Sequence, residues 1–257
     1  MPEIYSAHHN FGFDRDFTGY GEKGLNPKWP NNAKIAVSFV INHKEGGERS
    51  VMTGDGQSEQ ALRENPTGPP RINERNYNVE SEYEYGSRAG FWRLFRLFQK
   101  YKMKFTLYGV AQVVEQQPGV AKRCVEEGHV LLASRNSPQS RVLVPQVYEE
   151  MGEELVWASD TYADDVPYWI DPPFEKERPN PKGMLMVPYS YDCNDFKFHT
   201  AGSGFRDPRD FYEHIKGAFD VLYEEGCEGV PNMMTIGLYC RIVGRPGRAK
   251  AVRDFVD

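Results

Sequence analysis

The 257-residue chain is 39% hydrophobic and 13% aromatic, which is enough apolar side chain for a sizeable core and too much for a disordered chain. Its formal net charge of -6, with Lys and Arg scattered along the chain, excludes the clustered basic face that a nucleic-acid partner requires. Cys124, Cys193, Cys227 and Cys240 lie far apart with no CxxC pair, so they read as free thiols and not as a zinc knuckle or disulfide framework.

The opening, MPEIYSAHHNFGF, has no basic start followed by an apolar core, and no later run reaches membrane-spanning length, which predicts a cytoplasmic protein without a membrane partner. Residues 1–32 predict an irregular arm, and 33–257 a single domain of the length one α/β barrel fills. In residues 33–48, AKIAVSFVINHKEGGE, a β-branched apolar run of the kind buried on both faces stops abruptly at polar and titratable groups. Ligands of parallel-stranded folds sit at such carboxyl ends. The long segment 49–77 that follows is read as a flap over that end.

Phe91, Leu94, Phe95, Phe98 and Tyr101 recur at helical spacing behind Ser87, a plausible cap. A strand over 104–108, a helix carrying Val113, Val114 and residues 120–125, and a strand over 129–133 complete a βαβ rhythm. Ahead of it, Glu80, Glu82 and Glu84 alternate with Tyr83 and Tyr85; they either line a cleft in extended form or make a charged first helical turn. Residues 135–141, RNSPQSR, are turn-like, and a strand follows over 154–158. Residues 159–169 group Asp160, Asp164 and Asp165 with Tyr162, Tyr168 and Trp169, which suits acid/base work, a sugar-like ligand or a solvated acidic loop. A strand over 184–187 precedes Asp192, Asn194 and Asp195. Asp207 and Pro208 open a helix with a stripe of Phe211, Ile215, Phe219 and Leu222. The last strand, 233–238, ends at Tyr239, Cys240 and Arg241.

Five segments in this order, VSFVINHKEGGERS, NVESEYEYGSRAGFWRL, SDTYADDVPYW, VPYSYDCNDFKF and GLYCRIVGRPGRA, resemble the polysaccharide deacetylase superfamily, specifically its allantoinase-like branch, whose fungal members are also called chitin deacetylases. The resemblance implies an α/β fold, a distorted (β/α) barrel of about seven strands. It implies hydrolysis of a non-peptide C–N bond, with ring opening of allantoin as the main reading and chitin or polysaccharide N-deacetylation as the alternative. It also implies a homo-oligomer, such as a tetramer, that acts on a small-molecule or oligosaccharide substrate. Glu45 takes the place of the superfamily's metal-binding acid and is the expected catalytic carboxylate, serving chemistry more than packing. Arg135 and Arg241 are placed at the oxyanion or ureido group, with Asp160 and Tyr239 completing the catalytic set. Glu80, Tyr85, Arg88, Asp165, Trp169, Asn194 and Asp195 are placed around the substrate.

Three departures qualify the match. Lys44 stands where the base carboxylate belongs, and it can accept a proton only if burial or a neighbouring charge depresses its pKa. Tyr239 stands where the family has His, and its phenol is a poorer acid/base near neutrality. Ser134 runs directly into Arg135, so roughly one βα unit, about 30 to 40 residues, is absent, and the second-motif histidines with it. The six His present supply no replacement pair. No metal or cofactor is therefore expected, whereas the deacetylase alternative calls for one divalent ion such as zinc. A third reading is a catalytically impaired variant that only binds.

Overall fold

The apolar run after Ala33 forms a strand, Ile35–His43, whose second half is buried. In the computed structural model, residues 16–65, 68–134, 156–171, 183–200, 202 and 204–257 are described. Among them the strands are β1 (Ile35–His43), β2 (Thr106–Val110), β3 (Val130–Ser134), β4 (Tyr168–Ile170), β5 (Met184–Met186) and β6 (Asn232–Tyr239). The α-helices are α1 (Tyr77–Tyr85), α2 (Phe91–Lys100), α3 (Ala111–Gln116), α4 (Pro118–Glu126), α5 (Pro208–Glu228) and α6 (Pro246–Val256). The chain divides into two compact units, one of residues 1–36, 137–189 and 223–233, the other of 37–136, 190–222 and 234–257.

In the larger unit the sheet order is β3-β2-β1-β6. β1 pairs parallel with β2 through Val40 and Thr106, and β2 parallel with β3 through Thr106 and Val130, so the βαβ rhythm and the α/β class are as the sequence predicts. The helix ahead of β2 starts earlier than the Ser87 cap implies. Asn76 Oδ1 accepts the Val79 N–H at 3.4 Å, and α1 continues through a π-turn, Gly86–Gly90, into α2. Glu80, Glu82 and Glu84 are thus helical, which decides against the extended reading.

Phe91, Leu94, Phe95 and Phe98 of α2 are all buried, the stripe their spacing dictates. Phe98 packs edge-on against Phe39 of β1 at 4.9 Å between centroids and against Phe105 at 5.4 Å. Phe255 of α6 closes on Phe39 from another side at 6.3 Å. Among the described residues, no helix is long and apolar enough to cross a membrane.

In the smaller unit, β4 and β5 pair antiparallel, Trp169 opposite Leu185. A third segment joins in parallel at Ala158, whose N–H donates to the Leu185 carbonyl at 2.9 Å and whose carbonyl accepts the Val187 N–H at 2.8 Å. The strand predicted over 154–158 is described only from 156 onward. Val166, Met184 and Met186 are buried here, and the Trp29 indole N–H donates to the Asn232 carbonyl at 3.1 Å.

Because Phe98 joins helix and sheet with no room to collapse, Phe98→Ala is expected to cost about 3–5 kcal/mol. Urea denaturation should show a lower midpoint at an unchanged slope.

Candidate active site

The carboxyl end of β1 delivers His43, Lys44 and Glu45 into the larger unit. Glu45 is 1% exposed, and both of its carboxylate oxygens are engaged. Oε2 accepts the Lys44 N–H at 2.9 Å and faces His43 Nδ1 at 3.0 Å. Oε1 accepts the Arg241 N–H at 3.2 Å and faces Arg241 Nη1 at 3.6 Å. Burial pushes this carboxyl up, but His43, Arg241 and the backbone donors outweigh it and hold Glu45 below its ordinary range. Gln117 locks the other side of His43: its amide N–H donates to the Glu45 carbonyl at 2.8 Å, which turns Oε1 toward His43 Nε2 at 3.2 Å.

The π-turn makes room for these groups. A Cβ on Gly86 would lie 2.5 Å from Glu45 Cγ, and one on Gly90 would lie 1.9 Å from the Cys240 carbonyl. Only glycine lets the helix backbone come this close. Gly46, with φ at +106°, turns the chain away after Glu45, and its N–H donates to Glu48 Oε2 at 2.7 Å.

Arg241, at the end of β6, is 4% exposed. Its guanidinium lies 4.0 Å from the Tyr83 ring and 5.2 Å from that of Tyr239. Its Nε and Nη1 make no hydrogen bond among the described residues. Buried guanidinium donors are costly to leave unmade, so they mark a place for an acceptor. Lys44 Nζ lies 5.6 Å from the same Tyr239 ring, and burial together with Arg241 pushes its amine down, the direction its base role requires. Burial raises the Tyr239 and Tyr83 phenols, so both keep their protons.

Asp195 sits beneath this loop, wholly buried. Its Oδ2 accepts the Tyr239 N–H at 2.8 Å and the Val243 N–H at 2.9 Å. It therefore clamps the turn that carries Arg241 and is not exposed to a substrate. Burial lifts its carboxyl to about 8 against the pull of those two N–H groups. Asn194 is a helix cap, its Oδ1 accepting the Phe196 N–H at 3.0 Å.

The geometry therefore gathers Glu45, Tyr239 and Arg241 from the expected set and adds His43, Tyr83, Gln117 and Cys240. Glu80 pairs instead with Arg75 at 2.6 Å, Arg88 with Glu84 at 3.6 Å, and the Tyr85 hydroxyl accepts from Arg93 Nη1 at 2.8 Å. Asp160, Asp165 and Trp169 belong to the smaller unit. Arg135 lies outside the described residues. Two signals point to the missed groups: the Gly86-x-x-x-Gly90 spacing, and a His two positions before Glu45 on one strand end.

No family model matches the chain. A Schizosaccharomyces pombe protein whose name assigns it to the polysaccharide deacetylases is 40% identical, over 95% of this chain and 90% of that protein. The chain belongs to the polysaccharide deacetylase family. The structure of Puue allantoinase superposes with a TM-score of 0.82 at 36% identity, over 95% of this chain and 90% of that one. A probable polysaccharide deacetylase from Pseudomonas aeruginosa PAO1 gives 0.82 and 36%, over 95% and 91%. The match to the yeast deacetylase relative spans 290 positions, more than the 257 residues of the chain. That relative therefore carries internal residues absent here, an excess of about one βα unit.

Deacetylases of the wider superfamily hold a divalent metal. His43, Glu45 and Cys240 place a nitrogen, an oxygen and a sulfur within 4.8 Å of one another. A catalytic ion needs an open position for water, yet all three residues are buried, both Glu45 oxygens are hydrogen-bonded, and Arg241 already supplies the positive charge. Burial also raises the Cys240 thiol. The trio does not fit a catalytic metal.

Replacing Glu45 by Gln leaves Arg241 buried without its counter-charge, so a loss of about 3–5 kcal/mol is expected where the sequence predicts a role in chemistry more than in packing. Asp195 gives a pH test. Its unfolded value is 3.8 and its folded value about 8, so between them the folded state holds a proton that the unfolded state releases, and stability falls as pH rises. Asn mimics the protonated acid. The melting temperature of Asp195→Asn relative to the parent should therefore climb from pH 5 to pH 8; a flat difference would show that Asp195 is ionised in the fold.

Proposed function

We propose that the chain hydrolyses the N-acetyl group of an amino sugar, without a resident metal, in the larger unit. The observation that carries this reading is the buried Glu45–Arg241 pair, in which Arg241 Nε and Nη1 make no hydrogen bond among the described residues. Those donors suit the oxyanion that forms when water adds to an amide carbonyl, where one preorganised donor is worth about 10²–10³ in rate. The names of two relatives, at 40% and 36% identity, support an acetylated sugar as substrate.

In this scheme Glu45 fixes Arg241 and does not itself take up protons, since its carboxylate is held in the ionised form. Lys44, its amine pushed down by burial and Arg241, accepts the proton of the attacking water. The tetrahedral anion rests on Arg241. Collapse breaks the C–N bond, the carbonyl carbon leaves as acetate, and the departing amine takes the proton back from Lys44. Tyr239, still protonated, can donate a hydrogen bond.

A second reading, opening of the allantoin ring, is supported by the Puue allantoinase neighbour and by the buried guanidinium of Arg241, a group that suits a planar ureido carbonyl.

Acetate release from an N-acetylglucosamine oligomer and loss of allantoin, measured side by side, decide between the two. Arg241→Lys is expected to lower turnover of the true substrate by about 10²–10³, and a chelator wash should leave the parent unchanged. Turnover that depends on an added divalent ion would overturn the metal-free scheme.

A further inference from the structure

The smaller unit carries a surface that the reaction scheme does not use. Beside the two-stranded β4–β5 sheet, Ala158 is bridged level with Met186, and Met186 is opposite Tyr168. Side chains alternate between faces along a strand, so Trp157, Leu185 and Trp169 share the other face in one row. Met184 and Met186 on the opposite face are buried, whereas Trp169 is 68% exposed and Trp157 and Leu185 are partly exposed. Two steps of the inter-strand spacing set this row about 10 Å long. A Cβ at Gly183 would meet the Trp169 ring at 3.0 Å, so the indole is seated against backbone on one side while most of its surface stays open.

Charge selects the occupant. Over the sequence 156–189 that contains these strands, six Asp and Glu outnumber three Lys and Arg, and the segments 156–171 and 183–189 themselves carry Asp160, Asp164, Asp165 and Asp171. Flat aromatic faces suit the C–H faces of sugar rings, and an acidic setting suits ammonium groups. Resting on the deacetylase reading above, we propose that the Trp157–Leu185–Trp169 row is a separate binding surface for the amino-sugar product strand, a polymer carrying free glucosamine units.

The test titrates the full chain with a glucosamine hexamer and, separately, with an N-acetylglucosamine hexamer, by calorimetry at low and high salt. Expected are tighter binding of the glucosamine hexamer, weakening by salt, about a tenfold loss in Trp169→Ala at an unchanged melting temperature, and partial recovery in Trp169→Phe. Asp171→Asn should weaken only the glucosamine hexamer. Equal affinity of parent and Trp169→Ala, or no binding by the parent, overturns the proposal. It is also overturned if Trp169→Ala changes the sedimentation coefficient but not sugar affinity, since the row would then be a contact between copies of the chain. If the parent releases no acetate from any N-acetylated oligomer while Trp169-dependent binding holds, the reaction assignment fails and the surface stands.

Discussion

A buried carboxylate facing a buried guanidinium is the constraint around which the larger unit is built. Glu45 and Arg241 come from the ends of β1 and β6, adjacent in the sheet, and each would be prohibitively costly to desolvate alone. The pair is viable because almost every other lone pair and donor of Glu45 is matched: Lys44 N–H, Arg241 N–H and His43 on the carboxylate, Gln117 on its carbonyl. Arg241 is the exception, with Nε and Nη1 making no hydrogen bond among the described residues. An uneven balance of this kind is what binding of an acceptor would correct.

Holding that geometry makes demands on elements far away in sequence. The α1–α2 rod must pass within contact of Glu45 and the Cys240 carbonyl, which requires Gly86 and Gly90 and is accompanied by a π-turn, a distortion common at functional sites. The turn after β6 must be fixed, and a single buried Asp195 does so through two backbone N–H groups. Aromatic faces of Tyr83 and Tyr239 then screen the guanidinium from water.

Much of this architecture is legible in the sequence because it rests on local pattern. The β1 run, the Phe91, Leu94, Phe95 and Phe98 stripe, and the Asp207-Pro208 helix start follow from periodicity and capping. Glu45 and Arg241 are legible as polar groups where apolar strands stop. What escapes is whatever depends on the meeting of distant segments. Asp195 looks like an exposed acid beside Asn194, and only its burial under the 239–243 turn reveals a clamp. Glu80 and Arg88 look like cleft residues, yet helical phase turns them to Arg75 and Glu84. The helix capped by Asn76 hides behind Ser87, an equally good cap by type that lies inside a continuous rod.

The position of the pair in the sheet bears on the shortened chain. Among the described residues β3 ends the sheet order β3-β2-β1-β6, and the sequence passes directly from Ser134 to Arg135. A βα unit missing at that junction would have extended the sheet beyond β3, two strands from β1 and three from β6. The resemblance places the histidines of the family's second motif in that unit. The carboxylate and guanidinium lie on the far strands and keep their mutual contacts. On the metal-free reading, the residues that the shortened chain lacks are those it does not need, because the positive charge that polarises the carbonyl comes from Arg241 on β6.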